Sequence, residues 1–253
     1  METASAPAGA GTGNGTGGSA AAPARRPRNA RGEGGRLAED IVSGALALID
    51  RTGSEEAVTL RAVAREIGIA APSIYAHFAD REAIIMAAVL QIFGELFDAI
   101  TTGADSAGPD PVDRLVAGCA AYLRFGLAHP ARYGVLFAER RMTARDDDQA
   151  VPDSPGGPES PDTPDSPDSS GGSESGPEVH EFGAEAFAQL VQGIRDCAEA
   201  GVSASTDPVA DATAVWVALH GTVTLRTALP GYPWPELGRF TRQLVVPLAR
   251  ITA

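Results

Sequence analysis

The stretch from Thr59 to Phe78 constrains this chain more than any other. Leu60, Val63, Ala64 and Ile67 recur at the 3,4 spacing of one helical face. Gly68 stops that helix, and Ile69, Ile74 and Phe78 resume an apolar pattern across a second short helix. Two short helices set at an angle by a glycine turn form a helix-turn-helix. Thr59 stands where a hydroxyl caps the first helix, while Ala62 occupies the place where a capping box would carry Glu or Gln. Pro72 falls in the first turn of the second helix, where its missing N–H is tolerated. The outward positions of that helix are Ala71, Pro72, Ser73, Tyr75, Ala76 and His77. Short or hydrogen-bonding side chains of this kind suit a helix laid in a major groove.

Tyr75 and His77 alternate with Ile74 and Phe78, which must point inward, so they read as phosphate contacts, with structural packing as the alternative. Arg61 and Arg65 lie on the exposed side of the first motif helix. They are either DNA-backbone contacts or a solvated face pairing with Glu66. Before the motif, Leu37, Ile41, Ala45 and Leu48 make one face of a buttressing helix that ends near Gly53. After it, Asp80 caps a long helix carrying Ile85, Val89, Ile92, Leu96 and Ile100 in one stripe, with Phe93 and Phe97 beside it. The segment from Thr101 to Pro109 is expected to end that helix.

The stretch from Arg36 to Ile85 resembles the DNA-binding domain of TetR-family transcriptional regulators. The resemblance rests above all on Thr59-Leu-Arg-x-Val-Ala-Arg-x-Ile-Gly-Ile followed by Ser73-Ile-Tyr-x-His-Phe-x-Asp-Arg-Glu-x-Ile. Arg81 stands where the family usually has Lys, and a phosphate contact survives that change. The candidate DNA-contacting residues are therefore Thr59, Arg61, Ala71, Pro72, Ser73, Tyr75, Ala76, His77 and Arg81.

A net charge of −13 is unusual for a DNA-binding chain until it is located. Ten carboxylates between Thr143 and Glu178 face Arg145 alone, so this segment holds nine of the thirteen net negative charges. It is rich in Pro, Ser and Gly, has no apolar periodicity, and reads as a disordered acidic insert at 143–178. Residues 1–35 are Gly/Ala/Pro-rich and read as a disordered arm. In and just after this arm, Arg25, Arg26, Arg28, Arg31 and Arg36 face only Glu33. The arginines are either a solvated tail or an arm that follows phosphates or enters the minor groove.

The remaining segments also carry helical periods. Pro111–His129 places Val112, Leu115, Val116, Cys119, Leu123 and Gly126 inward, and Pro130 starts a short helix. Phe182, Phe187, Leu190, Val191 and Ile194 mark a helix ended by Gly201. Asp207-Pro208 begins the next, apolar on both sides, and Leu237 to Ile251 gives a last stripe expected to kink at Pro247. No segment alternates with period 2, so the expected fold is all-α. A three-helix head at 36–79 would be joined by a long helix to a helical domain at 80–253.

That domain, with Trp216-Val-Ala-Leu-His220-Gly221, is similar to a TetR-family subgroup bearing Trp and then His-Gly. The resemblance implies a homodimer through the last two helices and an effector pocket among the apolar helices before them. It further implies that an effector moves the helix from Asp80 to Ile100. Tyr122, Phe125, Phe137, Phe187, Trp216 and His220 are the candidate lining, suited to a mainly hydrophobic molecule. His220 reads more readily as a satisfied core or interface histidine than as an effector ligand, and aromatic stripes of this kind are more often core.

No catalytic set of nucleophile, base and orienting group is recognisable, and no Cys/His spacing suggests a metal or a cofactor site. Cys119 and Cys197 sit in apolar stripes as buried thiols, with a redox pair as the sharper alternative. No apolar run approaches the roughly 20 residues of a membrane span, and no signal-peptide core is present. The expected protein is a cytoplasmic DNA-binding regulator without a membrane partner. It would be a homodimeric repressor that reads a pseudo-palindromic duplex and is released by an unknown small effector. The competing reading is an architectural DNA-binding protein with neither pocket nor strong sequence preference.

Overall fold

The computed structural model describes residues 34–138 and 176–252. The arm before Gly34 and the acidic segment up to 175 lie outside them. The elements are α1 (Gly34–Thr52), a single 3-10 turn (Glu55–Ala57), α2 (Leu60–Glu66), a 3-10 helix (Ala71–Ala76) and α3 (Arg81–Asp105). They continue with α4 (Pro111–Ala128), α5 (Pro130–Leu136), α6 (Gly176–Glu199), α7 (Pro208–Ala228) and α8 (Leu237–Leu248). The fold is all-α. Among the described residues the only β pairing is an isolated bridge between Ser203 and Ile251.

Side-chain caps set the helix starts. Thr59 Oγ1 accepts from Ala62 N at 3.1 Å, and Asp80 Oδ1 from Ala83 N at 2.8 Å. Asp110 accepts from Val112 N and Asp113 N at 2.9 Å, and Asp207 from Ala210 N at 3.1 Å. Each satisfies an N–H that has no intrahelical acceptor. At the turn of the motif Gly68 has φ +72°, a conformation that disfavours a Cβ.

Four expectations change. The helix from Asp80 does not stop at Thr101: α3 runs to Asp105, because Gly103 is used for packing. A Cβ there would come within 2.7 Å of Ala121 Cβ, so the glycine lets α3 lie close on α4. Pro247 does not kink a longer helix. It sits in the last turn of α8, and Ile251 belongs to the bridge with Ser203. Gly176, Pro177 and Glu178, assigned from sequence to the insert, are already helical in α6. Finally, α7 buries one face only: Ala212, Val215, Leu219 and Val223 are inside, whereas Val209, Val217 and Leu225 are exposed.

The long helix α3 is also apolar enough, over 25 residues, to match a membrane span by length and composition, which the sequence reading did not anticipate. Its apolarity has a structural cause, since α3 packs on α1, α4, α5 and α6 at once. It is the central element of a continuous apolar core. Ile41, Ile49, Val58, Val63, Ile74 and Ile84 fill the head, and Ile92, Leu96, Leu123, Ile194 and Val215 carry that core into the second region.

Candidate DNA-reading surface and effector cavity

The second motif helix is a 3-10 helix, not an α-helix. Ser73 N bonds Ala70 O at 2.9 Å and His77 N bonds Ile74 O at 2.8 Å, the tight i→i+3 pattern that short pieces favour. Ile74 is fully buried and anchors this helix to the head. Pro72, Ser73, Tyr75 and Ala76 are exposed, Tyr75 by 63%, while Ala71 and His77 are half-buried. Thr59, Arg61 and Arg65 are exposed beside them. Glu66, the partner considered for the two arginines, is held by Arg51 at 2.8 and 3.1 Å. That pair lowers the Glu66 pKa, first through the hydrogen bond from Arg51.

Arg81 departs from the sequence reading. Its Nε donates to Val58 O at 2.7 Å, one terminal nitrogen to Glu55 O at 2.7 Å, and the other to Glu82 at 2.6 Å. The guanidinium closes the chain between α1 and α2 onto the start of α3. This is a structural role where a free phosphate contact was expected.

Between α3, α4, α6 and α7, with the end of α5 as one wall, lies a cavity of ≈ 700 Å³. Tyr122, Phe137, Phe187 and Trp216 line it, as expected, together with Phe93, Leu96, Leu115 and Leu190. Phe125 and His220 are not in its lining. Phe125 is buried and its ring lies 5.2 Å from that of His129. His220 stands one layer behind the wall, its Nδ1 at 2.7 Å from Tyr133 Oη, which in turn is 2.6 Å from Tyr122 Oη.

Burial lowers the His220 pKa, so the ring is neutral at pH 7. In the tautomer whose Nδ1 is bare, protons run from Tyr122 to Tyr133 to His220; in the other tautomer the order is reversed. Burial also pushes the Tyr122 phenol up to about 12 and Tyr133 well above the usual phenol range, so both remain donors. Cys119 lines the cavity as a buried thiol pushed up to about 12, and Cys197 is pushed to about 11. Neither has thiolate character at neutral pH.

Three residues of this region were not identified as candidates from sequence. Tyr133 is the middle of the hydrogen-bonded chain. Gln189 lines the cavity and donates from Nε2 to Thr101 Oγ1 at 2.9 Å. Arg132, beside Tyr133 on α5, forks onto Asp50 of α1 at 2.7 and 2.9 Å and reaches Glu95 of α3 at 2.6 Å. The stretch His129-Pro-Ala-Arg-Tyr signals a helix start in the sequence, but contacts more than 80 positions away leave no local trace.

Two family models match the chain. Residues 41–88 match the model described as bacterial regulatory proteins, tetR family, and residues 161–244 match a tetracyclin repressor-like C-terminal domain. The second match begins inside the acidic segment. An uncharacterised HTH-type transcriptional regulator of Mycobacterium tuberculosis is 32% identical over 111 residues, covering 44% of this chain. The match spans about half (48%) of that relative's length.

Among solved structures, a protein of unknown function from Rhodococcus sp. RHA1 aligns with a TM-score of 0.63 at 21% identity, over 85% of this chain and 94% of the other. A TetR-family transcription regulator from Marinobacter aquaeolei VT8 aligns at 0.58 and 13% identity, over 87% and 98%. At these identities the alignments speak for the fold alone. The two family matches show that the chain belongs to the tetR family of bacterial regulatory proteins, whose members are transcriptional regulators and not enzymes.

Proposed function

We propose that this protein is a cytoplasmic transcriptional repressor that binds a pseudo-palindromic operator as a homodimer and is released by a small, mainly apolar effector. The observation that carries the reading is the coupling of a hollow domain to an exposed reading surface. Phe137 and Leu136, at the end of α5, form part of the cavity wall, and Arg132 of the same helix grips α1 of the head. A ligand that displaces α5 or α3 therefore acts on the helix that supports the motif. The division of labour follows: residues 36–79 read DNA, and residues 80–253 dimerise and bind the effector.

Within the head, Pro72, Ser73 and Ala76, with Ala71, face the bases, while Tyr75, His77, Thr59 and Arg61 meet the backbone. The exposed Val209, Val217 and Leu225 on α7 support the dimer, because a second copy of this face would bury them. About 3 kcal/mol of differential affinity is enough for an effector to weaken operator binding on the order of 100-fold.

The test is binding of the full chain to the region upstream of its own gene and to random duplex at fixed salt. A preference of orders of magnitude for the former is expected. Ala186 lines the cavity, so Ala186→Phe should leave operator affinity nearly unchanged and abolish release by cell-extract metabolites. Equal affinity for both DNAs, with no metabolite effect, would return the effector-independent architectural reading.

A further inference from the structure

The cavity's polar groups identify the chemistry of its ligand; the inference rests on the cavity being the effector site. Most of these groups have partners. Tyr122 is bonded to Tyr133, and the Trp216 indole N–H acts on the Tyr122 phenol. Arg114 holds Asp105 at 2.8 Å, and Gln192 Nε2 donates to Asp196 at 2.7 Å. Gln189 Oε1 is the exception, a buried acceptor among these lining groups with no hydrogen-bond partner. An unmet buried carbonyl carries a desolvation penalty that a ligand donor relieves. Charge adds a second constraint. Asp105 and Asp196, both exposed, against Arg114 leave the lining with one carboxylate in excess, so an anion approaches against a local field that salt screens. The walls of Phe93, Phe137, Phe187 and Trp216 suit an apolar body and do not repel a cation.

We infer that the cavity selects an apolar molecule without negative charge that donates an O–H or N–H hydrogen bond to Gln189 Oε1, an alcohol or a protonated amine. An apolar carboxylate and an acceptor-only ketone are the molecules it discriminates against. The first would meet the excess carboxylate, and the second would leave Gln189 Oε1 unpaired.

The probes are decanol, decylamine, decanoate and 2-decanone below their aggregation limits, titrated calorimetrically into the full chain. Decanol or decylamine should bind about tenfold or more tightly than either of the other two, the size expected of one buried hydrogen bond. Decylamine ahead of decanol assigns a cationic donor, and the reverse order a neutral one. Gln189→Met should erase the donor preference without lowering the melting temperature. Gln189→Glu, which keeps an acceptor, should restore it and favour decylamine further. Tightest binding by decanoate or 2-decanone, or a donor preference untouched in Gln189→Met, overturns this inference and leaves the effector site standing. Failure of all four to bind, with no difference between the wild type and Ala186→Phe, removes the effector site and the inference together.

Discussion

The head and the cavity-bearing region use similar apolar residues for opposite ends. In the head every large aliphatic side chain at the centre is sealed, with Ile41, Ile49, Val58, Val63 and Ile74 all at 0% exposure. In the cavity-bearing region Phe187, Leu190 and Trp216 remain only partly buried around an internal space of ≈ 700 Å³. A close-packed core holds one shape, which a surface reading DNA geometry requires. A core that is incompletely filled retains surface that a ligand can cover. The difference lies in packing, since the two regions are continuous through α3.

The largest effect should come from testing that contrast directly. Ile74→Ala removes a fully buried side chain from the closed core and should destabilise the protein by about 3 kcal/mol. It should also abolish operator binding, because Ile74 anchors the reading helix. Leu190→Ala, at the border of the cavity, should lose only about 1 kcal/mol, since that side chain already faces open space. Equal losses in denaturant titrations of the two variants would mean that the cavity closes in solution, and the comparison would fail.

Legibility in the sequence followed the same division. The motif, its Thr59 and Asp80 caps and the outward Tyr75 are local matters of spacing and capping, and the structure has them where the sequence predicts. Arg81 shows the limit of that reasoning. Its partners, the carbonyls of Glu55 and Val58, lie 26 and 23 positions away, so a surface arginine at a helix start and a buttress look alike in one dimension. In the cavity-bearing region four of six candidate residues do line the cavity, but His220 and Phe125 stand behind it. Helical periodicity tells which face is apolar, not whether that face meets protein or space. Gly103 failed for a related reason, as a glycine for close approach reads like a glycine for a turn.

An intermediate effect separates structure from recognition within the head. Arg81→Ala leaves two backbone carbonyls without their donors and should lower stability by about 2 kcal/mol. Arg81→Lys should recover little, because one ammonium cannot replace the guanidinium fork. Tyr75→Phe, at an exposed position, should leave the melting temperature unchanged and weaken binding to all duplexes alike. Unchanged stability in Arg81→Ala would move that residue back to the DNA surface, where the sequence reading put it.

The smallest effect belongs to the hydrogen-bonded chain behind the cavity wall and concerns pH. Burial depresses the folded-state pKa of His220 below its ordinary value of 6.5. As pH falls through that value, the unfolded chain takes up a proton that the folded protein resists, so stability falls. As pH rises above it, neither state is protonated at this site and the full contribution returns. Tyr122 and Tyr133 keep their protons throughout this window, because both phenols are shifted upward. Where His220 Nδ1 accepts from Tyr133, a proton there sets two donors against each other unless the whole chain through Tyr122 reverses. Reversal would turn the Tyr122 hydroxyl hydrogen away from Tyr133 and change the face it presents to the cavity. Acidification from about pH 7.5 to about pH 5.5 should therefore lower the wild-type melting temperature more than that of His220→Gln. The excess should appear in the emission of Trp216, whose ring lies 6.3 Å from that of His220. Parallel losses in the two proteins, with no excess at Trp216, would show that the chain does not titrate and that the wall is as fixed as the head.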